Sequence, residues 1–167
     1  MSNRKTKEKD YYPIIKRAFV ELFESKGLRA YFEITANKKP SNELKSKIPD
    51  RRQIIFNFLK DVTPDITGYI EKDGRTDFVI IEIKNGQIKL DHIYQARKYA
   101  DLFEAKFEFL VSTEEIPEEI KRLSKVVDPL VSAPNSYQSR TLVYFDEETQ
   151  SFKDWYPKNP FEQVPWF

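Results

Sequence analysis

Residues 77–86 read DFVIIEIKNG. Phe78, Val79, Ile80 and Ile81 make the unbroken apolar run of a strand buried on both faces. Glu82 and Lys84 then arrive with only Ile83 between them. Side chains alternate along a strand, so this carboxylate and this ammonium share one face. Charges at the end of a core strand carry a desolvation cost, which a functional site would explain.

Working backwards, residues 64–84 read PDITGYIEKDGRTDFVIIEIK. Two β-rich runs flank Asp73-Gly74, a strong signal for a two-residue hairpin turn. With that turn, paired residues have numbers summing to 147. Lys72 faces Arg75, Tyr69 faces Phe78, and Asp65 faces Glu82. Two carboxylates directly opposite each other repel unless a positive charge lies between them. A divalent cation meets that need, and hard oxygen donors suit Mg²⁺ or Mn²⁺. Lys84 adds an ammonium on the same face. Two carboxylates, a cation and an ammonium suit phosphodiester hydrolysis by activated water.

Working forwards, LDHIYQARKYADLFEA (90–105) has helical spacing through Ile93, Ala96, Ala100 and Phe103. KFEFLVST (106–113) is a strand. Strand, helix and strand in about 35 residues form a βαβ crossover, so those two strands are expected to be parallel neighbours. Upstream, Asp10 is placed to cap a helix running to about Ser25, with Pro13 in its first turn and Gly27 as its stop. RAYFEIT (29–35) alternates as a strand. Residues 37–52 hold six basic residues against two acidic ones and read as a loop or short-helix insertion. RQIIFNFLKDV (52–62) is helical or a mixed connector. Downstream come a helix near 114–129, a hairpin over 140–156 and a Pro-rich aromatic tail expected to lie extended against the body. That tail, with Trp155, Tyr156, Phe161, Trp166 and Phe167, either covers the core or forms a dimer contact.

The whole chain fits one domain. It has 167 residues, 40% of them hydrophobic, with a charged arm at 1–9 and a single unit over 10–167. Lys and Arg number 28 against 27 Asp and Glu, so any nucleic acid must be met by a local basic surface. There is no cysteine, which excludes disulfides and thiolate metal sites. The lone His92 excludes a His-rich zinc site. No apolar run approaches the roughly 18 residues of a membrane span, and no secretory signal opens the chain. The expectation is a soluble, cytoplasmic protein with no membrane partner.

Pro64-Asp65 followed by Glu82-Ile83-Lys84 resembles the motif of the PD-(D/E)xK nuclease superfamily. The order of elements, a helix, three meandering strands, a helix and a strand, is similar too, over about residues 10–113. The resemblance implies an α/β fold with a restriction-endonuclease-like core, a mixed central β-sheet flanked by helices. It implies metal binding by Asp65, Glu82 and the carbonyl of Ile83, with Lys84 catalytic. Gln95 and Tyr99, at i and i+4 on one helix face, resemble the Gln-xxx-Tyr element of the RecB-like branch, whose side chains border the active site and contact DNA. Two departures stand out. No histidine precedes Asp65, and the first helix has no acid at the usual place, since Glu21 and Glu24 lie late in it. Glu33 on the first strand is a candidate extra acid.

These residues lead to the expectation of a Mg²⁺- or Mn²⁺-dependent deoxyribonuclease, with DNA as partner and Lys38, Lys39, Arg51 and Arg52 touching its backbone. Cutting both strands of a duplex calls for a homodimer on geometric grounds. An endonuclease, a RecB-like exonuclease and a non-catalytic nucleic-acid or protein-binding module on the same fold remain open at this point. No zinc finger or helix-turn-helix is present to read bases.

Overall fold

In a computed structural model, residues 6–127, 130–131 and 138–162 are described. Trp166 and Phe167 of the aromatic tail lie outside them. The fold is α/β: a mixed six-stranded sheet flanked by helices, with its strands in chain order. The strands are β1 (Arg29–Ile34), β2 (Ile66–Lys72), β3 (Arg75–Lys84), β4 (Phe107–Ser112), β5 (Ser139–Asp146) and β6 (Ser151–Tyr156). Strands β1, β2 and β3 form an antiparallel meander. β4 runs parallel to β3, β5 runs parallel to β4, and β6 returns antiparallel.

The hairpin has the expected register. Lys72 faces Arg75, Tyr69 faces Phe78, and the pairing continues to Ile66 opposite Ile81. Asp73 and Gly74 both take positive φ, 50° and 78°, as a type I′ turn requires. One face of the sheet receives α1 (Glu8–Ser25), whose Ile15, Phe19 and Phe23 pack on Val79, Ile81, Ile83 and Phe109. The other face receives α3 (Leu90–Phe103), with Tyr99, Ala100 and Phe103 on Ile80. Odd residues of β3 therefore face α1, and even ones face α3. That alternation carries Glu82 and Lys84 to the α3 side.

Helix α1 starts earlier than Asp10. Its first residue is Glu8, and the Asp10 carboxylate reaches back to accept the Lys7 N–H at 2.9 Å. Glu8 and Lys9 thus belong to the helix. Pro13 falls as the sixth residue of the helix, beyond the free N–H groups of the first turn. The helix ends as expected at Gly27, with Leu28 N–H on the Phe23 carbonyl and Gly27 N–H on that of Glu24, a Schellman arrangement.

Between β1 and β2 the chain makes the short helix α2 (Asn42–Ser46) and a 3₁₀ segment, Asp50–Asn57. A short helix α4 (Glu118–Ser124) links β4 toward β5. The tail is not extended throughout: Pro160–Glu162 form a 3₁₀ turn that buries Phe161 against Phe19, Phe23 and Phe109, while Trp155 and Tyr156 belong to β6. No helix among the described residues is long and apolar enough to cross a membrane.

A candidate active site at the end of β3

Asp65 is the last residue before β2, and Glu82 follows Ile81, the β3 partner of Ile66 and the last paired residue of that ladder, near the end of β3. Side chains continue the ladder where the strands part. The Asp65 N–H donates to Glu82 Oε1 at 3.1 Å, and the Ile83 N–H donates to Asp65 Oδ2 at 2.8 Å. The two carboxylates therefore fix each other's backbone. Asp65 is 8% exposed and Glu82 1%. Lys84 Nζ stands 3.9 Å from Glu82 Oε2, an ammonium at the rim of the buried pair.

This grouping carries two acids against one base in a dry place. Burial pushes the Asp65 carboxyl up from its ordinary value. Burial and then the neighbouring Asp65 charge push Glu82 well up. Holding both ionised requires more positive charge than Lys84 supplies. A divalent cation fits that requirement. Among the described residues no group of three or more His, Cys, Asp or Glu side chains is placed to hold an ion. The acidic donors at this place are the two carboxylates of Asp65 and Glu82.

Helix α3 brings up the third wall. Tyr99 is 1% exposed, and Gln95 lies one turn before it on α3, at i and i+4. Burial, followed by the negative charges of Glu82 and Asp65, pushes the Tyr99 hydroxyl up. Tyr99 is a core residue on the helix that covers the Glu82 face of the sheet. His92, half-buried at the start of α3, accepts the Lys89 N–H on Nδ1 at 3.0 Å and helps cap the helix.

Three residues at this place were not singled out from the sequence. The Tyr12 hydroxyl donates to Asp65 Oδ1 at 3.0 Å and lies 3.2 Å from Glu8 Oε1. The other Glu8 oxygen accepts the Asn85 N–H at 3.2 Å. The start of α1 is thus tied to the end of β3, and Glu8 brings an acid to the site mouth. The available signal was Glu8 and Tyr12 at i and i+4, the spacing of Gln95 and Tyr99.

Other sequence candidates go elsewhere. Glu33 accepts hydrogen bonds from Ser41 N, Ser41 Oγ and Tyr31, so it anchors the loop before α2. Glu21 and Glu24 are exposed on later turns of α1. Arg52 bonds Glu104 at 2.6 Å and the Leu102 carbonyl, and Arg51 lines a cleft with Thr76, Asp77 and Phe78. That cleft is at the opening of β3, the end away from Glu82. Lys38 and Lys39 are exposed, a few residues past the end of β1 that abuts Asp65.

Comparison with protein-family models, with curated proteins and with solved structures gave no match.

Proposed function

We propose that this chain is a metal-dependent deoxyribonuclease of the PD-(D/E)xK type, with a restriction-endonuclease-like core. The observation that carries the reading is the buried Asp65–Glu82 pair, cross-linked through backbone N–H groups, with Lys84 3.9 Å from Glu82 at the end of a core strand. Asp65, Glu82 and the Ile83 carbonyl would hold Mg²⁺ or Mn²⁺. When bound, the cation supplies Lewis acidity to the scissile phosphate and makes a water nucleophilic near neutral pH. Lys84 stabilises the negative charge that grows on the phosphoryl oxygens or orients the attacking water. Tyr12 holds one Asp65 oxygen, leaving the carboxylate little freedom to rotate. Gln95 and Tyr99 form the wall along which the substrate strand passes.

The placement of Gln95 and Tyr99 one turn apart on α3, the helix that follows β3, favours a second reading, an exonuclease of the RecB-like branch acting on DNA ends. A closed circle has no ends, so one experiment addresses both. Supercoiled plasmid, linear duplex and labelled single-stranded DNA are incubated with wild type and Lys84→Ala in Mg²⁺, Mn²⁺ or EDTA. Metal-dependent cutting that falls about 10²–10³-fold in Lys84→Ala is expected, the usual loss of one preorganised charge donor. Cutting of the circle identifies an endonuclease; degradation of linear DNA alone identifies the exonuclease. If no substrate is cut in either metal, or if Lys84→Ala cuts as well as wild type, the assignment fails. Tight DNA binding without cleavage would then point to a non-catalytic module.

A further inference from the structure

Between α2 and the 3₁₀ segment lies a surface cleft of about 220 Å³. Its floor is apolar, with Pro40, Phe56 and Leu59, and its rim carries Lys39, Lys45 and Lys60. Among the described residues none of these three lysines has a carboxylate within ion-pair distance. Lys45 Nζ instead stands over the Phe56 ring, 5.3 Å from its centre. Phe58 follows on the same segment, between two residues that line the cleft. It is 68% exposed, and it is the one exposed phenylalanine among those described. Ile54 and Val62, four residues before and after it in the chain, are also exposed.

The cleft is tied to the candidate site by chain connectivity. The excursion that carries it leaves β1 at Ile34 and returns at Asp65. Its base is clamped by Thr63 Oγ1 on the Thr35 carbonyl at 2.5 Å and by Thr35 N–H on the Asp65 carbonyl at 2.9 Å. Lys60 precedes Asp65 by five residues, so their Cα atoms are at most about 18 Å apart. At the 3.4 Å per nucleotide of a stacked strand, the tightest spacing, that span holds at most about five nucleotides.

Three lysines with no carboxylate partner among the described residues call for a polyanion, and a solvated phenyl ring calls for a flat apolar face. A base paired within a duplex keeps its faces stacked on its neighbours. A single strand offers phosphates and free base faces together. We propose that this cleft binds a single-stranded segment of DNA, with its phosphates on Lys39, Lys45 and Lys60 and one base stacked on Phe58. It follows that the substrate carries unpaired nucleotides within about five positions of the scissile bond. The inference rests on the nuclease reading for its choice of DNA, and its test does not depend on cleavage.

The test is a fluorescence-anisotropy titration of a labelled 20-nucleotide single strand and of a blunt 20-base-pair duplex, in EDTA. It uses wild type, Phe58→Ala, Phe58→Trp and Lys60→Ala, each first checked for an unchanged melting temperature. Phe58→Ala should weaken single-strand binding roughly 5- to 100-fold and leave duplex binding within about twofold, with Phe58→Trp restoring it. Lys60→Ala should reduce the slope of log K against log salt by about 0.7. Single-strand binding that is unchanged in Phe58→Ala, an equal loss on both substrates, or no binding to either overturns the proposal. Wild type that never cuts while Phe58→Ala behaves as expected would remove the nuclease chemistry and leave the cleft assignment standing. Cutting by wild type with a silent Phe58→Ala would do the reverse.

Discussion

Glu82 has a negative neighbour across the hairpin, a positive one two residues on, and almost no water. Its carboxyl is held toward the protonated form, so at pH 8 ionising it works against the fold. A metal ion would turn that cost into affinity, since it binds the native pair and has no such pair in the unfolded chain. Two results are expected from thermal melts at pH 8. Wild type should gain roughly 5–10 °C in Mg²⁺ or Mn²⁺ at about 100 times the dissociation constant, from about 2.7 kcal/mol of binding at 2–4 °C per kcal/mol. Glu82→Gln should melt higher than wild type in EDTA and lose most of the metal response. A variant with an undiminished metal shift would show that the ion sits elsewhere. The residues of this site were largely legible. Asp65 opposite Glu82 followed from the turn, and Lys84 from alternation. Glu8, Tyr12 and Asn85 were not, because their contacts join elements more than 50 positions apart. No local pattern records which turn of a helix will meet which strand end.

The elements that were read well are those whose signal is local and redundant. Asp73-Gly74 set the β2–β3 register because a type I′ turn leaves no choice of pairing. The 3₁₀ segment was not resolved from its sequence, because its apolar residues serve different ends. Ile55 and Leu59 are buried while Ile54 and Phe58 are exposed; both pairs have i, i+4 spacing, so spacing alone does not tell the buried face from the exposed one. The start of α1 was misplaced because Asp10 looks like a cap residue. It acts from the third helical position, reaching back to Lys7. Gly68, in the middle of β2, is an element-scale requirement. A Cβ there would lie 2.4 Å from the Tyr31 carbonyl oxygen and 2.3 Å from Phe32 Cδ1. The backbone oxygen belongs to the neighbouring strand and cannot swing aside. Gly68→Ala should therefore force β1 away from β2 and destabilise by about 1–3 kcal/mol or more. Urea denaturation measures this directly. A loss below about 0.5 kcal/mol would mean that the β1–β2 approach is looser than these distances state.

At the scale of the whole molecule, the fold sorts charges that the sequence presents as one basic block. Of the six basic residues in 37–52, Lys47 and Arg52 turn to Glu71 and Glu104 and Arg51 lines the cleft at the far end of β3. Lys39 and Lys45 stay with the cleft between α2 and the 3₁₀ segment. Net charge in a window could not make that division. The same sorting buries Glu108 on β4, where burial pushes its carboxyl up to about 7 despite Arg140 and Arg97, with Asp101 adding to the rise. Arg140 Nε lies 3.3 Å from Glu108 Oε2, and Arg140 also pairs with Asp101. The ordinary value is 4.5, so between pH 4.5 and 7 the native state binds a proton that the unfolded chain has released. Stability from this group is complete below that window and is lost as pH rises through it, to a total of roughly 3 kcal/mol. Asp65 and Glu82, also raised, act in the same direction, whereas His92, lowered by its burial, acts in the opposite one. The contribution of Glu108 is therefore isolated by difference. Melting temperatures of wild type and Glu108→Gln are followed in EDTA from pH 5 to 8. The wild type should lose about 5–10 °C more than the variant across the range, since the amide does not titrate and the other groups cancel. Parallel curves would mean that Arg140 and Arg97 keep Glu108 ionised throughout, and that this buried cluster is a standing ion network with no proton to lose.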